Sequence, residues 1–261
     1  MDLKVDGKRV FAATGGRAFD AAAPAIVFIH GAGFDHTAWQ LQARYFAHHG
    51  RSVLAIDLPG HGRSEGPALA SIAAAADWVG HLLDAAGTKS AALVGHSMGA
   101  LIALAAAARL PERVRALALL GVAAKMPVHP DLLGAAERNE PRAGELIVDW
   151  GFGPAAHLGG HRAPGLWMMG GGLRTIERSA PGVLATDLAA CNAYDGAEAD
   201  AARVRCPTLF VLGAADKMTP LKGGLALAAK IAGARVARIE CGHMMMVERP
   251  DATLDALREA L

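Results

Sequence analysis

Ala91-Ala92-Leu93-Val94-Gly95-His96-Ser97-Met98-Gly99-Ala100-Leu101 decides the fold. Its first four residues form an uninterrupted apolar run of the kind that is buried on both faces of a parallel sheet. A helix-period segment, Ala100–Leu110, begins immediately after the second glycine. Between them, Ser97 falls on a sharp strand-to-helix turn that lifts its hydroxyl clear of the sheet. Gly95 and Gly99 supply the small flanks such a strained turn requires. The following helix directs its first amides and its positive dipole end towards any oxyanion formed at Ser97. Ser97 is therefore the candidate nucleophile, and the Met98 N–H one candidate oxyanion donor. His96 neighbours Ser97 on the turn, points away from it, and fills the elbow.

Outward from this turn, the pattern repeats. Ala25–Ile29, Val53–Ile56, Val114–Leu120, Thr208–Leu212 and Val236–Ile239 are further strand candidates. Helix-period segments Thr37–His48, Leu69–Ala86, Leu221–Ala232 and Ala252–Leu261 lie among them. Alternation with short links predicts a mostly parallel sheet covered by helices on both faces. The chain opens on two short runs, Leu3–Val5 and Arg9–Ala12, joined by Asp6-Gly7, which predicts a hairpin. Residues 122–203 break the rhythm with prolines, a Gly170-Gly171-Gly172 run and large apolar residues. That length predicts an insertion with its own helices, packed over one end of the sheet. The expected division is a core of 1–121 with 204–261, and a cap of 122–203.

Three more segments fall where acyl transfer needs them. His30-Gly31-Ala32-Gly33 follows the strand Ala25–Ile29, and its small residues let a backbone amide face the Ser97 oxyanion. Ala32 is the favoured donor, Gly33 the second choice, and His30 a brace for the loop. Asp216 ends Val211-Leu212-Gly213-Ala214-Ala215-Asp216, just past a strand. His243 lies in Cys241-Gly242-His243, past the last strand. Catalytic groups of open parallel sheets gather beyond the carboxyl ends of strands. The order Ser97, Asp216, His243 therefore reads as nucleophile, acid and base. Asp57 and Asp195 are rival acids; the first sits in a structural turn and the second inside the insertion.

Composition narrows the function classes. Lys+Arg total 26 against Asp+Glu 25, a net charge of +1, which gives no electrostatic basis for nucleic-acid or anionic-membrane binding. Hydrophobic residues make up 52%, enough for a sizeable core without cross-links. Cys191, Cys206 and Cys241 are scattered, with no metal-ligand or disulfide spacing. The segment MDLKVDGKRV is charged where a secretory signal is apolar, and no run reads as a membrane span. These features point to a soluble cytoplasmic protein, a monomer or homodimer, whose partner is a small-molecule substrate.

Four motifs resemble the α/β-hydrolase superfamily: HGAG at His30–Gly33, DLPGHGRS at Asp57–Ser64, GHSMG at Gly95–Gly99, and CGHMMMVERP at Cys241–Pro250. The resemblance runs from about Leu3 to Leu261. It implies an eight-stranded, mostly parallel sheet whose second strand is antiparallel, with a helical cap inserted after the sixth. It also implies a Ser97–His243–Asp216 triad and an Ala32/Met98 oxyanion hole. That chemistry needs neither metal nor organic cofactor. Trp150, Trp167, Met168 and Met244, with Phe152, Met169, Met245 and Met246 nearby, predict an adaptable apolar pocket. The expected substrate is a small to medium ester, lactone or thioester, and Arg162 and Arg174 are candidate partners for a substrate carboxylate. The same residues serve a carbon–carbon bond hydrolase of a diketone-type ring-cleavage product, a cofactor-free haloperoxidase-like perhydrolase, or a ligand receptor that retains the triad.

Overall fold

The structure, a computed structural model, describes residues 1–161 and 165–261. Arg162 lies outside them. β1 (Asp2–Val5) and β2 (Lys8–Ala13) form the expected hairpin. Asp6 and Gly7 both take positive φ, 49° and 83°, the paired left-handed geometry of a two-residue turn that matches strand twist.

Six strands follow: β3 (Ala25–Ile29), β4 (Ser52–Ile56), β5 (Ala91–His96), β6 (Val114–Leu120), β7 (Thr208–Gly213) and β8 (Arg235–Ile239). The sheet order is β1-β2-β4-β3-β5-β6-β7-β8. β2 is antiparallel to both neighbours, and every pairing from β4 to β8 is parallel. The chain thus reverses direction across the sheet between β3 and β5. Crevices for ligands open beside that switch point, beyond the strand ends.

The two-residue period of each strand sorts its side chains into two apolar layers. Ala25, Val27 and Ile29 of β3 join Ala91 and Leu93 of β5 on one face. Ile26 and Phe28 join Ala92 and Val94 on the other. The first layer is closed by α2 (Ile72–Ala85), α3 (Met98–Arg109) and α10 (Leu221–Ala228). The second is closed by α1 (Gln40–His48), α11 (Met245–Glu248) and α12 (Pro250–Arg258). α3 is buried from Met98 to Ala107, and its alanines let it lie close to the sheet on one side and α2 on the other. α2 starts at Ile72, later than periodicity alone suggests, because Ser71 caps it by accepting the Ala74 N–H at 3.1 Å.

Between β6 and β7 the described residues form α4 (Pro130–Glu137), α5 (Pro141–Gly151), α6 (Pro154–His157), α7 (Met168–Glu177), α8 (Val183–Ala193) and α9 (Ala197–Ala201). The prolines that interrupt the sequence pattern here open helices: α4, α5 and α6 each begin with one, where the missing N–H has no intrahelical role. α4 and α5 pack together and α8 packs on α4, whereas α9 packs against α3 in the layer of the sheet. Among the described residues, no helix is long and apolar enough to cross a membrane.

Candidate active site

Ser97 takes φ 54° and ψ −117°, a conformation that costs a non-glycine residue on the order of 1–3 kcal/mol. The surrounding backbone imposes it. The Ser97 N–H donates to Leu120 O on β6 at 2.9 Å, and its carbonyl accepts from Ala100 and Leu101 in α3. A Cβ on Gly99 would overlap the Ile29 and His30 carbonyls, so the turn can press against the end of β3 only with glycine there.

His243 and Asp216 are joined. The His243 Nδ1–H donates to Asp216 Oδ2 at 2.7 Å, both side chains being buried. Asp216 also accepts from the Met218 and Thr219 backbone amides at 2.9 and 2.8 Å and from the Thr219 hydroxyl at 2.7 Å. Burial alone would push its carboxyl up. The His243 ring and the Thr219 donors outweigh burial and hold it below the usual carboxylate range. With Nδ1 committed, Nε2 is left as the free ring nitrogen, and it is buried with no hydrogen-bond partner. Ser97 and His243 line one cavity of about 390 Å³, without a hydrogen bond between them.

The rival acids are elsewhere. Asp57 accepts from the His36 amide and ring and from the Arg63 amide, pinning the turn after β4. Asp195 is exposed. Asp35, His36 and Asp57 bring three potential metal-ligand atoms within 4.8 Å of one another, bound into hydrogen bonds with Thr37, Arg63 and Arg178.

The two candidate oxyanion amides, those of Ala32 and Met98, have no acceptor among the described residues. Met98 is the first residue of α3, so its N–H has no acceptor within the helix. Gly31 O accepts from the His30 ring at 2.9 Å and from Phe34 N at 3.2 Å. In a trans peptide the Ala32 N–H then points the opposite way. Gly33 N, the second-choice donor, is taken by Asp187 Oδ2 at 2.9 Å. His30 accepts the Leu58 N–H at 3.1 Å through Nε2 and stays neutral; burial, then the charge of His61, brings its pKa down to about 4. His96 donates from Nε2 to the His243 carbonyl at 2.9 Å, so it braces the backbone of the candidate base.

Trp150 and Met244 line the cavity, together with Phe34, Met126, Val128, Leu132, Ile147, Leu188 and Met218. Trp167 and Met168 do not. Trp167 precedes α7 and is 66% exposed, while Met168 is buried in the apolar layer beside Phe152. Met245 and Met246 are likewise core residues. The apolar character of these three methionines serves packing, a use that composition cannot distinguish from ligand contact. Arg174 is exposed, pairs with Glu177 and lies off the cavity. Among the described lining residues the only fully charged side chain is Lys217.

Three residues of the site have roles that the sequence reading does not assign. Thr219 caps the Asp216 carboxylate. Gly121, at the end of β6 with φ 57°, leaves room for His243: a Cβ there would sit 2.9 Å from Nδ1. Glu248 accepts from the amides of Gly153, Gly242 and Met244 at 2.9, 3.1 and 3.2 Å, gripping the His243 loop on both sides. Glu248 does fall within CGHMMMVERP, but the motif assigns it no role.

This architecture matches the alpha/beta hydrolase family model over residues 26–256, and the chain belongs to that family. A pimeloyl-[acyl-carrier protein] methyl ester esterase of Neisseria meningitidis is 32% identical over 72% of this chain and 73% of that one. A 2-hydroxymuconate semialdehyde hydrolase of a Pseudomonas species is 34% identical over 85% of this chain and 81% of that one. The crystal structure of an enol-lactonase from Burkholderia xenovorans superposes with TM-score 0.89 at 25% identity, covering 99% and 98% of the two chains. With other curated relatives the match spans about a third of their length. The chain is thus a hydrolase by family, similar to enzymes that differ in the bond they cleave.

Proposed function

We propose that the chain is a serine hydrolase that cleaves a small to medium, largely apolar carboxylic ester, lactone or thioester through an acyl-enzyme. The observation that carries this reading is the pairing of a strained Ser97 with a buried His243 whose Nδ1 is fixed by Asp216 and whose Nε2 is free, both on one apolar cavity. Substrate binding brings Ser97 Oγ within reach of Nε2, as catalytic hydrogen bonds commonly tighten only in the complex. His243 accepts the Ser97 proton as Oγ attacks the carbonyl carbon. The Ala32 and Met98 amides hold the oxyanion, and Asp216 stabilises the imidazolium. Collapse expels the alcohol, thiol or ring oxygen with the proton from His243. Water then attacks the acyl carbon by the same route and restores Ser97.

The cavity volume suits a substrate of drug-like size or less. Helices α4, α5 and α8 supply Leu132, Ile147, Trp150 and Leu188 to its wall, which supports a cap role for the insertion. A carbon–carbon bond hydrolase of a diketone-type product is the second reading, favoured by the similarity to the Pseudomonas enzyme. A fluorophosphonate probe tests the nucleophile: labelling of the native chain and none of Ser97→Ala is expected. Absence of labelling, or labelling unchanged in Ser97→Ala, overturns the proposal. A panel of p-nitrophenyl esters, a lactone and a vinylogous diketone separates the two readings by which is turned over.

A further inference from the structure

Asp187 lies on α8, 154 residues from Gly33, yet its Oδ2 accepts the Gly33 N–H at 2.9 Å. The same oxygen faces His61 Nε2 at 2.7 Å, and both side chains are almost wholly buried. His61 Nδ1 faces the Pro59 carbonyl at 3.1 Å. Both ring nitrogens therefore meet acceptors, an arrangement that the doubly protonated ring satisfies completely. Burial opposes that charge, but the Asp187 carboxylate overrides it and raises the His61 pKa. His30, with its ring 4.8 Å from that of His61, stays neutral, and the nearby Cys191 thiol is pushed up by burial and by Asp187. The Asp187–His61 unit is thus a buried ion pair between α8 and the turn after β4. Removing one partner of such a pair leaves an uncompensated charge.

We propose that Asp187 is a positioning residue for the oxyanion site. By capturing the Gly33 amide, it stops the HGAG loop from rotating that amide inward. It also holds the loop in the one register that leaves the Ala32 N–H free for the oxyanion. The next residue on the helix, Leu188, and Cys191 one turn on both line the cavity. One helix therefore contacts bound substrate and sets the oxyanion amide, linking acyl-group fit to transition-state stabilisation. This inference rests on the acyl-transfer reading above.

The test compares Asp187→Ala and Asp187→Asn with Leu146→Ala, a buried change in α5 away from the cavity that serves as a stability control. Each full-length variant is checked for fold by circular dichroism and Tm, then assayed on a neutral p-nitrophenyl ester. Asp187→Ala is expected to lower kcat about 10- to 100-fold with KM within about threefold, the pattern of a group that acts only in the transition state. Asp187→Asn keeps an acceptor for Gly33 and is expected to lose only about 3- to 10-fold. Leu146→Ala should lower Tm and retain kcat. Wild-type kcat in folded Asp187→Ala, or an equal kcat loss in Leu146→Ala, overturns the proposal. Should Asp187→Ala fail to fold, unchanged kcat in Asp187→Asn overturns it and the partial loss supports it. Native chain that neither turns over ester nor takes the fluorophosphonate label defeats the acyl-transfer reading and this inference together; a labelled, active chain with unaffected variants defeats this inference alone.

Discussion

The backbone N–H of His243 donates to the carbonyl of Gly151 at 2.7 Å, tying the candidate base to the last residue of α5 as well as to the strand end it follows. Glu248 reinforces the tie with its three accepted amides, one of them Gly153 just beyond α5. The end of α5 and the His243 loop are therefore held together.

Glu248→Gln replaces an acceptor oxygen by an amide donor or leaves backbone N–H groups unsatisfied. Hydrogen bonds to a charged group contribute about 1.5–3 kcal/mol each, so a loss of at least that size in unfolding free energy is expected. kcat on a p-nitrophenyl ester should fall with it. Unaltered stability in urea titration would show that the carboxylate does not hold the loop.

Gly121→Ala should disable the site from behind. Its Cβ would meet His243 Nδ1 and Cε1 at 2.9 and 3.0 Å, and φ 57° is unfavourable for alanine by about 1–2 kcal/mol. Loss of kcat of at least about tenfold is expected, because a small displacement of a catalytic group costs up to two orders of magnitude. Wild-type turnover by this variant would mean that His243 is not the base.

Stability should fall on the acid side of pH 6.5. His30 and His96 are buried neutral, with pKa values brought from 6.5 to about 4 and about 3, mainly by burial. Below 6.5 the unfolded chain binds protons that the folded chain refuses, so stability drops as pH falls. Each histidine contributes about 1.4 kcal/mol per pH unit until its folded pKa is reached. His61 acts in the opposite sense: its pKa is raised, so its contribution is complete below 6.5 and is lost as pH rises through the raised value. Urea midpoints between pH 4.5 and 8 measure both arms. A midpoint independent of pH below 6.5 would contradict the neutral assignment of His30 and His96.

Lys217 should select among substrates by charge. It is the only full charge among the described lining residues, in the tight turn between Asp216 and Thr219. For p-nitrophenyl esters of equal length, Lys217→Ala is expected to lower kcat/KM for a carboxylate-ended acyl chain about 3- to 10-fold, with little change for the neutral one. Salt should weaken the native preference, since exposed charges are screened over roughly 10 Å at 0.1 M. Equal effects on both esters would show that Lys217 takes no part in recognition.

Much of the frame is local, and so it was legible. The uninterrupted buried runs of β3 and β5, the Asp6-Gly7 turn and the glycines about Ser97 each follow from spacing within a few positions. Even the placement of Asp216 and His243 after strands could be read, because a strand end is a local event. Met168 shows where such reading stops: hydrophobicity says that a residue avoids water, not which apolar surface it meets, and Trp167 is exposed despite its apolar ring.

Sequence by itself determined the strand succession, the serine elbow and the three segments that could carry the chemistry, since backbone conformation answers to neighbouring side chains. Tertiary structure alone decided that His243 meets Asp216 and not Asp57, and that Asp187 reaches Gly33. It also decided which of the insertion's apolar residues face the cavity. Those contacts join positions 27 to 154 residues apart. They depend on sheet order and helix docking, which are set by the packing of whole layers and by no single stretch of chain.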